Sequence, residues 1–203
     1  MNALTPTKIP NEVATWCDGW LQGIRHAPSP NFGPRPPVES ISMVVVHSIS
    51  LPPGQYGGNE VEQLFLNQLD WSAHPYFEQI RGAEVSAHFF IRRDGSLIQF
   101  VSVNDRAWHA GKSSWMGQDN CNDYSVGVEL EGLEDHPFDP PQYETLSRLI
   151  ASLALLWPIR TVVGHEHIAP GRKRDPGIAF DWVDLGARLG PLKGLIPALP
   201  RRA

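Results

Sequence analysis

The chain has 203 residues, enough for one globular domain with a sizeable core but too few for a second full domain. Its 41% hydrophobic and 19% charged residues are ordinary for a folded protein, and a formal net charge of -5 argues against a nucleic acid as partner. Cys17 and Cys121 match no disulfide framework or CxxC metal motif, so both are expected to be packed thiols in a reducing compartment.

No targeting or membrane segment is visible in the sequence. The N-terminal stretch MNALTPTKIPNEVATW has no basic region followed by a long apolar one, and the apolar run LIASLALLW is too short to cross a bilayer. No lipidation motif is present either. We therefore expect a cytoplasmic protein with no membrane partner.

The first half of the chain predicts one extended segment, three strands and a helix. Residues 27–37 (APSPNFGPRPP) are proline-rich and predict an irregular surface segment. The β-branched run ISMVVVHS predicts a buried strand that ends at His47 and opens into the loop LPPGQYGG. NEVEQLFLNQLDW has apolar residues at helical spacing, and AHFFIRRDGSLIQFV predicts a hairpin with its turn at Asp94 and Gly95.

The second half predicts two more strands and the longest helix. YSVGVELEG and RTVVGH are typical of core strands, and PPQYETLSRLIASLALLW is typical of an amphipathic helix with prolines in its first turn. A short helix follows Asp181, then a proline-rich end. Strands and helices intermix without an internal repeat, which predicts an α/β single domain with a central mixed β-sheet flanked by α-helices.

The strand YSVGVELEG has two different faces. Alternation places Tyr124, Val126, Val128 and Leu130 on a core face and Ser125, Gly127, Glu129 and Glu131 on the other. The small residues leave room for a ligand above a cleft floor, and two carboxylates on a central strand call for a facing cation. The alternative is a solvated strand face, as antiparallel sheets often have.

Two histidines and one aspartate have the composition of a catalytic zinc site. His47 and His165 each end an apolar strand, and Asp175 lies in the Gly/Pro-rich segment GHEHIAPGRKRDPG. Two imidazoles and one carboxylate leave a fourth zinc position open, whereas structural sites are closed by four ligands and often use cysteine. This set points to hydrolysis. His167 remains an alternative to His165, and Asp175 could instead be a turn residue before Pro176.

Residues in other motifs, and Lys173 close to Asp175, suggest further roles. Glu129 could serve as a base, and Lys173 could neutralise an oxyanion, although residues 172–174 could also be a solvated basic run. Trp108 and His109 lie in the loop RAWHAGKSSW, which suits contact with a sugar; alternatively Trp108 plugs the edge of the core. His88 is expected to be a hydrogen-bonded core or cleft histidine rather than a metal ligand.

Several of these motifs together resemble the AmpD-type N-acetylmuramoyl-L-alanine amidases. They are VVVHSISLPPGQYGG, the HP and F of residues 74–77, VSAHFFIRRDGSLIQFV, RAWHAG, CNDYSVGVELEG and GHEHIAPGRKRDPGIAFDW. That family consists of zinc enzymes of the type 2 amidase superfamily, related to the peptidoglycan recognition proteins. The motifs follow the family's order over almost the whole chain. The resemblance implies a single amidase domain, 1–203, with a catalytic core of about 20–182 and a proline-rich tail, 190–203.

The resemblance also implies roles for individual residues. One zinc ion per chain would be held by His47, His165 and Asp175, with Glu129 as acid/base and Lys173 stabilising the transition state. Substrate contacts are expected from Ser48, His88, Trp108 and His109. The sequence departs from the family pattern at Ser48, where some relatives have asparagine, and in the tetrapeptide GHEH; both departures concern substrate contacts and leave the ligands unchanged.

The implied reaction is hydrolysis of an amide in cytoplasmic peptidoglycan recycling. The bond joins the lactyl group of 1,6-anhydro-N-acetylmuramic acid to L-alanine of the stem peptide, so the expected partner is a small soluble anhydromuropeptide. One alternative is a non-catalytic muropeptide receptor, which keeps the groove and loses zinc ligands. The other is a secreted amidase that degrades the wall. The full ligand set with Glu129 disfavours the receptor, and the lack of a visible export signal disfavours the secreted enzyme.

Overall fold

The structure is a computed structural model that describes residues 14–37 and 39–198. Residues 1–13, where an export signal was sought, and residues 199–203 of the predicted proline-rich tail lie outside them. Within the described ranges, none of the helices has the length and apolar character needed to cross a membrane.

A six-stranded mixed sheet forms the centre of the molecule. The described residues contain the strands β1 Trp16–Cys17, β2 Trp20–Leu21, β3 Arg25–His26, β4 Phe32–Gly33, β5 Met43–Ile49, β6 Phe89–Ile91, β7 Leu97–Gln99, β8 Arg106–Ala107, β9 Ser114–Trp115, β10 Gln118–Asp119, β11 Ser125–Glu131 and β12 Thr161–Gly164. The order in the central sheet is β12-β5-β11-β6-β7-β3. Only the β6–β7 pair is antiparallel in this sheet, which confirms the predicted mixed architecture.

Strand β5 shows why an apolar run becomes a central strand. Its residues Met43 to His47 are buried, and it pairs in parallel with β12 on one side and β11 on the other. Parallel strands covered on both faces need such continuous β-branched runs. The strand continues to Ile49, so His47 lies inside it and not at its end as predicted.

The predicted hairpin is present as β6 and β7. Its turn contains Gly95 at φ +82°, a conformation that favours glycine, and the Gly95 N–H donates to the carbonyl of Arg92 at 2.9 Å. A Cβ at this position would lie 2.8 Å from the carbonyl oxygen of Pro141. The glycine therefore allows the hairpin to approach the long helix closely.

Helices cover both faces of the sheet. They are α1 Glu60–Phe65, α2 Pro75–Gln79, α3 Pro140–Leu156, α4 His165–Ile168 and α5 Trp182–Leu189, with 3-10 helices at Cys121–Asp123 and Gly190–Leu195. The longest is α3, as predicted; Gln142 Oε1 in its first turn accepts from the Asp139 backbone N–H at 3.0 Å. α3 and α5 share one apolar cluster with Val126, Val128 and Leu130 of β11, and α1 and α2 pack in a second cluster with Phe90.

Four local predictions need correction. The proline-rich segment is irregular but not simply a surface segment, because Ser29 and Asn31 are buried and Asn31 Nδ2 donates to the carbonyl of Val85 at 2.9 Å. Cys17 is exposed, whereas Cys121 is buried as expected. Tyr124 precedes β11 and packs in a third cluster, apart from Val126. The tail begins with a 3-10 helix, 190–195.

Candidate active site

Three buried side chains converge at one edge of the sheet. His47 Nδ1 lies 3.0 Å from His165 Nδ1 and 3.0 Å from Asp175 Oδ2, and the last two atoms are 3.1 Å apart. Tetrahedral zinc with bonds of about 2.0 Å holds its ligand atoms roughly 3.3 Å apart. The cluster thus fits a zinc ion with three protein ligands and a fourth position left open.

Parallel strand pairing brings these residues together. β5 lies between β12 and β11, so the residue after β12, His165, comes beside His47, while Glu129 of β11 is the direct register partner of His47. A backbone hydrogen bond fixes Asp175 beside helix α4: its carbonyl accepts from the Glu166 N–H at 2.9 Å. Parallel pairing of β12, β5 and β11 therefore brings two candidate ligands and the Glu129 carboxyl to the same end of the strands.

His167 takes no part in the cluster. Its Nδ1 accepts from the Gly164 backbone N–H at 2.8 Å, at the start of helix α4. The structure places His165 among the three candidate ligands and leaves His167 in a helix-capping position. The geometry thus selects His165 from the two histidines.

The electrostatics of the cluster favour metal binding. Burial, and after it the nearby His165, lower the pKa of His47 to about 4 although Asp175 acts to raise it, so the imidazole is neutral at pH 7. For Asp175, burial acts to raise the pKa, but hydrogen bonds with His165 and His47 outweigh it and hold the pKa well below its usual range. A neutral imidazole and an ionised carboxylate are the forms that bind a metal.

Glu129 is a buried carboxyl beside the cluster. Its Oε1 lies 3.9 Å from His47 Nδ1, and its Oε2 is buried with no hydrogen-bond partner among the described residues. Burial raises the pKa of Glu129 well above its usual value, Asp175 raises it further, and Lys173 opposes both. A carboxyl of this kind, with one oxygen still unpaired, is suited to exchanging protons.

Glu131 projects from the same strand but is fully engaged elsewhere. Its Oε1 accepts from the Gly57 N–H at 2.6 Å and its Oε2 from the Arg93 N–H at 3.0 Å. The Nη1 atom of Arg92 lies 3.7 Å from Oε1, which supplies the cation that a buried carboxylate needs. Glu131 thus ties a loop to the hairpin, and Glu129 alone of this pair faces the ligand cluster.

A cleft of about 570 Å³ opens over Glu129, His165 and Asp175. Ser48, Trp108, His109 and Lys173 all line it, so each of these four predicted site residues borders the space over Glu129. Trp108 is only partly buried.

His88 is placed differently from the other predicted substrate residues. It is fully buried; its Nδ1 accepts from the Gly127 N–H at 3.0 Å, and its Nε2 lies 3.0 Å from Nη2 of Arg35. This position argues against substrate contact and agrees with the alternative of a hydrogen-bonded core histidine. Arg35 itself comes from the proline-rich segment, where no sequence signal marked it.

The space predicted above Gly127 is already filled. A Cβ on Gly127 would lie 2.4 Å from Cγ of His109, whose ring covers the strand at this point. His109 Nδ1 lies 2.9 Å from Nε2 of His47, on the side of that ring opposite the cluster. The small residues of β11 therefore accommodate a histidine of the protein, and the ligand space lies further along the strand, over Glu129.

Comparison with known proteins places this geometry in context. Residues 37–178 match the family model described as N-acetylmuramoyl-L-alanine amidase. The chain is 46% identical over 176 residues to the 1,6-anhydro-N-acetylmuramyl-L-alanine amidase AmpD of Citrobacter freundii, covering 86% of this chain and 94% of that protein.

Two solved structures extend the comparison. A crystal structure of a Se-Met AmpD derivative superposes with a TM-score of 0.84 at 45% identity, covering 86% of this chain and 99% of that one. AmpDh3 from Pseudomonas aeruginosa in complex with anhydromuramic pentapeptide is 27% identical with a TM-score of 0.53, over 73% of this chain and 59% of that one.

Proposed function

This chain belongs to the N-acetylmuramoyl-L-alanine amidase family, and on that premise we propose that it hydrolyses the amide between the lactyl group of 1,6-anhydro-N-acetylmuramic acid and L-alanine of the stem peptide. The observation that carries the proposal is the His47–His165–Asp175 cluster at the floor of a cleft, beside the buried Glu129, whose Oε2 has no hydrogen-bond partner among the described residues. A non-catalytic receptor would need neither the complete ligand set nor an unpaired carboxyl.

We propose one zinc ion per chain, held by His47 Nδ1, His165 Nδ1 and Asp175 Oδ2. Two imidazoles with a carboxylate form the ligand set of catalytic zinc, and no cysteine closes the site, since the described Cys17 and Cys121 lie outside the cluster. When bound, zinc would polarise the amide carbonyl and lower the pKa of a water molecule to about 7.

The residues of the chain would supply the proton transfers and the charge stabilisation. Glu129 would accept the proton of the attacking water and return it to the departing amine nitrogen, for which its unpaired Oε2 and raised pKa are suited. Lys173, on the cleft wall, would donate hydrogen bonds to the carbonyl oxygen as it gains negative charge. Trp108 and Ser48, which line the cleft, would contact the sugar or peptide.

Lys173→Ala tests the oxyanion role. We expect kcat to fall by roughly 10²–10³-fold, since that is the usual cost of losing one oxyanion donor, while zinc content stays at the wild-type level. Steady-state kinetics and elemental analysis of the same samples measure both. The control is Lys193→Ala, which removes the same charge from an exposed position in the C-terminal 3-10 helix. If Lys173→Ala turns over at the control rate, Lys173 has no such role.

The proposed substrate is a small soluble anhydromuropeptide inside the cell. The curated relative from Citrobacter freundii is named for the 1,6-anhydro sugar, and a related amidase has been solved with an anhydromuramic pentapeptide. A cleft of about 570 Å³ is of a size for one sugar and part of a peptide. A cytoplasmic location is part of this proposal.

A comparison of two substrates tests it. Purified enzyme is incubated with an anhydromuramyl tripeptide or with purified sacculi, with and without chelator, and released peptide is followed by chromatography and mass spectrometry. We expect chelator-sensitive release from the soluble fragment and little from sacculi. Comparable release from both would favour a wall-degrading amidase, and binding without release would favour the receptor.

A further inference from the structure

The two ligand histidines each have a second ring nitrogen that faces away from the metal cluster. With His47 Nδ1 directed at the cluster, its Nε2 lies 2.9 Å from Nδ1 of His109. A neutral imidazole whose Nδ1 lone pair binds a metal carries its proton on Nε2. With zinc bound, His47 Nε2–H would therefore donate to His109 Nδ1.

This hydrogen bond is the first of three in a row, and the donors and acceptors of all three can be assigned in only one way. His109, accepting at Nδ1, carries its own proton on Nε2, which lies 3.2 Å from Ser125 Oγ. Ser125 Oγ in turn donates to the carbonyl of Cys121 at 2.6 Å. A backbone carbonyl can only accept, so the last link sets the direction of the earlier ones and keeps the His47 proton away from the metal side.

The loop that contains His109 also contacts His165, the second ligand histidine. His165 Nε2 lies 3.0 Å from the carbonyl of Ala110, the residue after His109. Asn122 Oδ1 accepts from the backbone N–H groups of both, at 3.2 Å from His109 and 2.8 Å from Ala110, and so holds the pair in place. Two adjacent residues of one loop thus orient two ligands that lie 118 positions apart in the chain.

The fold makes room for this arrangement. The His109 ring fits over β11 only because residue 127 is glycine, since a Cβ there would lie 2.4 Å from its Cγ. His109 is only 9% exposed, so most of its surface is in contact with the protein. An imidazole acceptor also adds no negative charge beside the site, so Asp175 remains the one ligand that offsets the charge of the ion.

We propose that His109 is a positioning residue that fixes the tautomer and orientation of His47 for metal binding, with Ser125 as the next link and the loop at 109–110 as the common support of both histidine ligands. The proposal rests on the proposed zinc site. It assigns His109 an action through His47 in place of the predicted contact with substrate. Hydrogen-bond partners of this kind typically contribute 10–100-fold to metal affinity.

The test measures zinc affinity, not only activity. His109→Leu removes the acceptor at similar bulk, and His109→Asn keeps an acceptor, because the amide oxygen stands near the position of Nδ1. We expect Leu to weaken zinc binding by about 10- to 100-fold in a chelator competition and to alter the absorption spectrum of the cobalt-substituted protein, whereas Asn stays within a few-fold of wild type. Ser125→Ala should give a smaller loss.

Trp108→Leu is the matched control, since it changes the neighbouring residue that faces the cleft and should leave zinc affinity unaltered. Circular dichroism and thermal unfolding of the metal-free proteins verify folding; if the His109→Leu variant does not fold, His109→Ala is compared with His109→Asn instead.

Two outcomes overturn the proposal: unchanged zinc affinity in the His109→Leu variant, or an equal loss of zinc affinity in the His109→Leu and His109→Asn variants. A wild-type protein that binds zinc tightly but does not cleave the muropeptide would contradict the proposed function and leave this inference standing.

Discussion

Asp175→Ala will purify as a folded protein without zinc and without amidase activity. The carboxylate supplies one of the three buried atoms that we propose bind the ion, and its loss leaves two imidazoles 3.0 Å apart with nothing to balance the charge of the ion. Loss of a residue that only hydrogen-bonds to a metal ligand already costs roughly 10–100-fold in metal affinity, so loss of a direct ligand should cost more than that. Elemental analysis and a peptide-release assay on the same preparation measure the two effects.

The matched control for this change is Asp184→Ala. Asp184 is on α5, where its carboxylate pairs with Arg188 at 2.9 Å, and it lies outside the described metal cluster. We expect this variant to keep zinc and wild-type turnover. A folded Asp175→Ala protein with full zinc occupancy and unchanged turnover would show that the ligand assignment is wrong.

Glu129→Gln will keep zinc and lose turnover. Glutamine has the shape of glutamate but cannot accept the proton of the attacking water, so kcat should fall by roughly 10²–10⁴-fold while KM changes little. Because the Glu129 carboxyl is buried with Oε2 unpaired, a neutral amide should not lower the melting temperature of the metal-free protein. Single-turnover kinetics and thermal unfolding measure these effects.

Glu131→Gln is the control on the same strand face. It weakens the hydrogen bonds that Glu131 accepts from the Gly57 and Arg93 N–H groups, so it should lower stability and leave kcat within a few-fold of wild type. If Glu131→Gln is instead the inactive, zinc-loaded protein and Glu129→Gln is active, the roles of the two carboxyls are exchanged.

Much of the framework can be predicted from local pattern. The β-branched run of β5, the amphipathic spacing of α3 and the turn at Gly95 each depend on residues close together in the chain, so their signals survive in the sequence. The residue types of the ligand set are also visible there, because zinc chemistry restricts them to histidine, cysteine and carboxylates. The motifs and their order indicate the family because each motif is a short segment that can be read directly from the sequence.

Without the family resemblance, only the tertiary structure decides between residues of the same type. His165 rather than His167 joins the cluster because β12 pairs with β5 in a register that brings residue 165 beside His47. Glu129 rather than Glu131 remains available because two backbone N–H groups from a loop and a hairpin engage Glu131. Neither pairing has a periodic signature, since the partners come from distant parts of the chain.

The clearest case is the space above Gly127. Sequence alone shows a small residue on the site face of a strand, and hence a gap, but not what fills it. The structure fills it with the ring of His109, the residue that we propose orients His47. Local pattern determines which chemistry the chain can perform, because that depends on residue types; packing determines which copy of each residue performs it, because contacts between remote segments depend on the geometry of the whole fold.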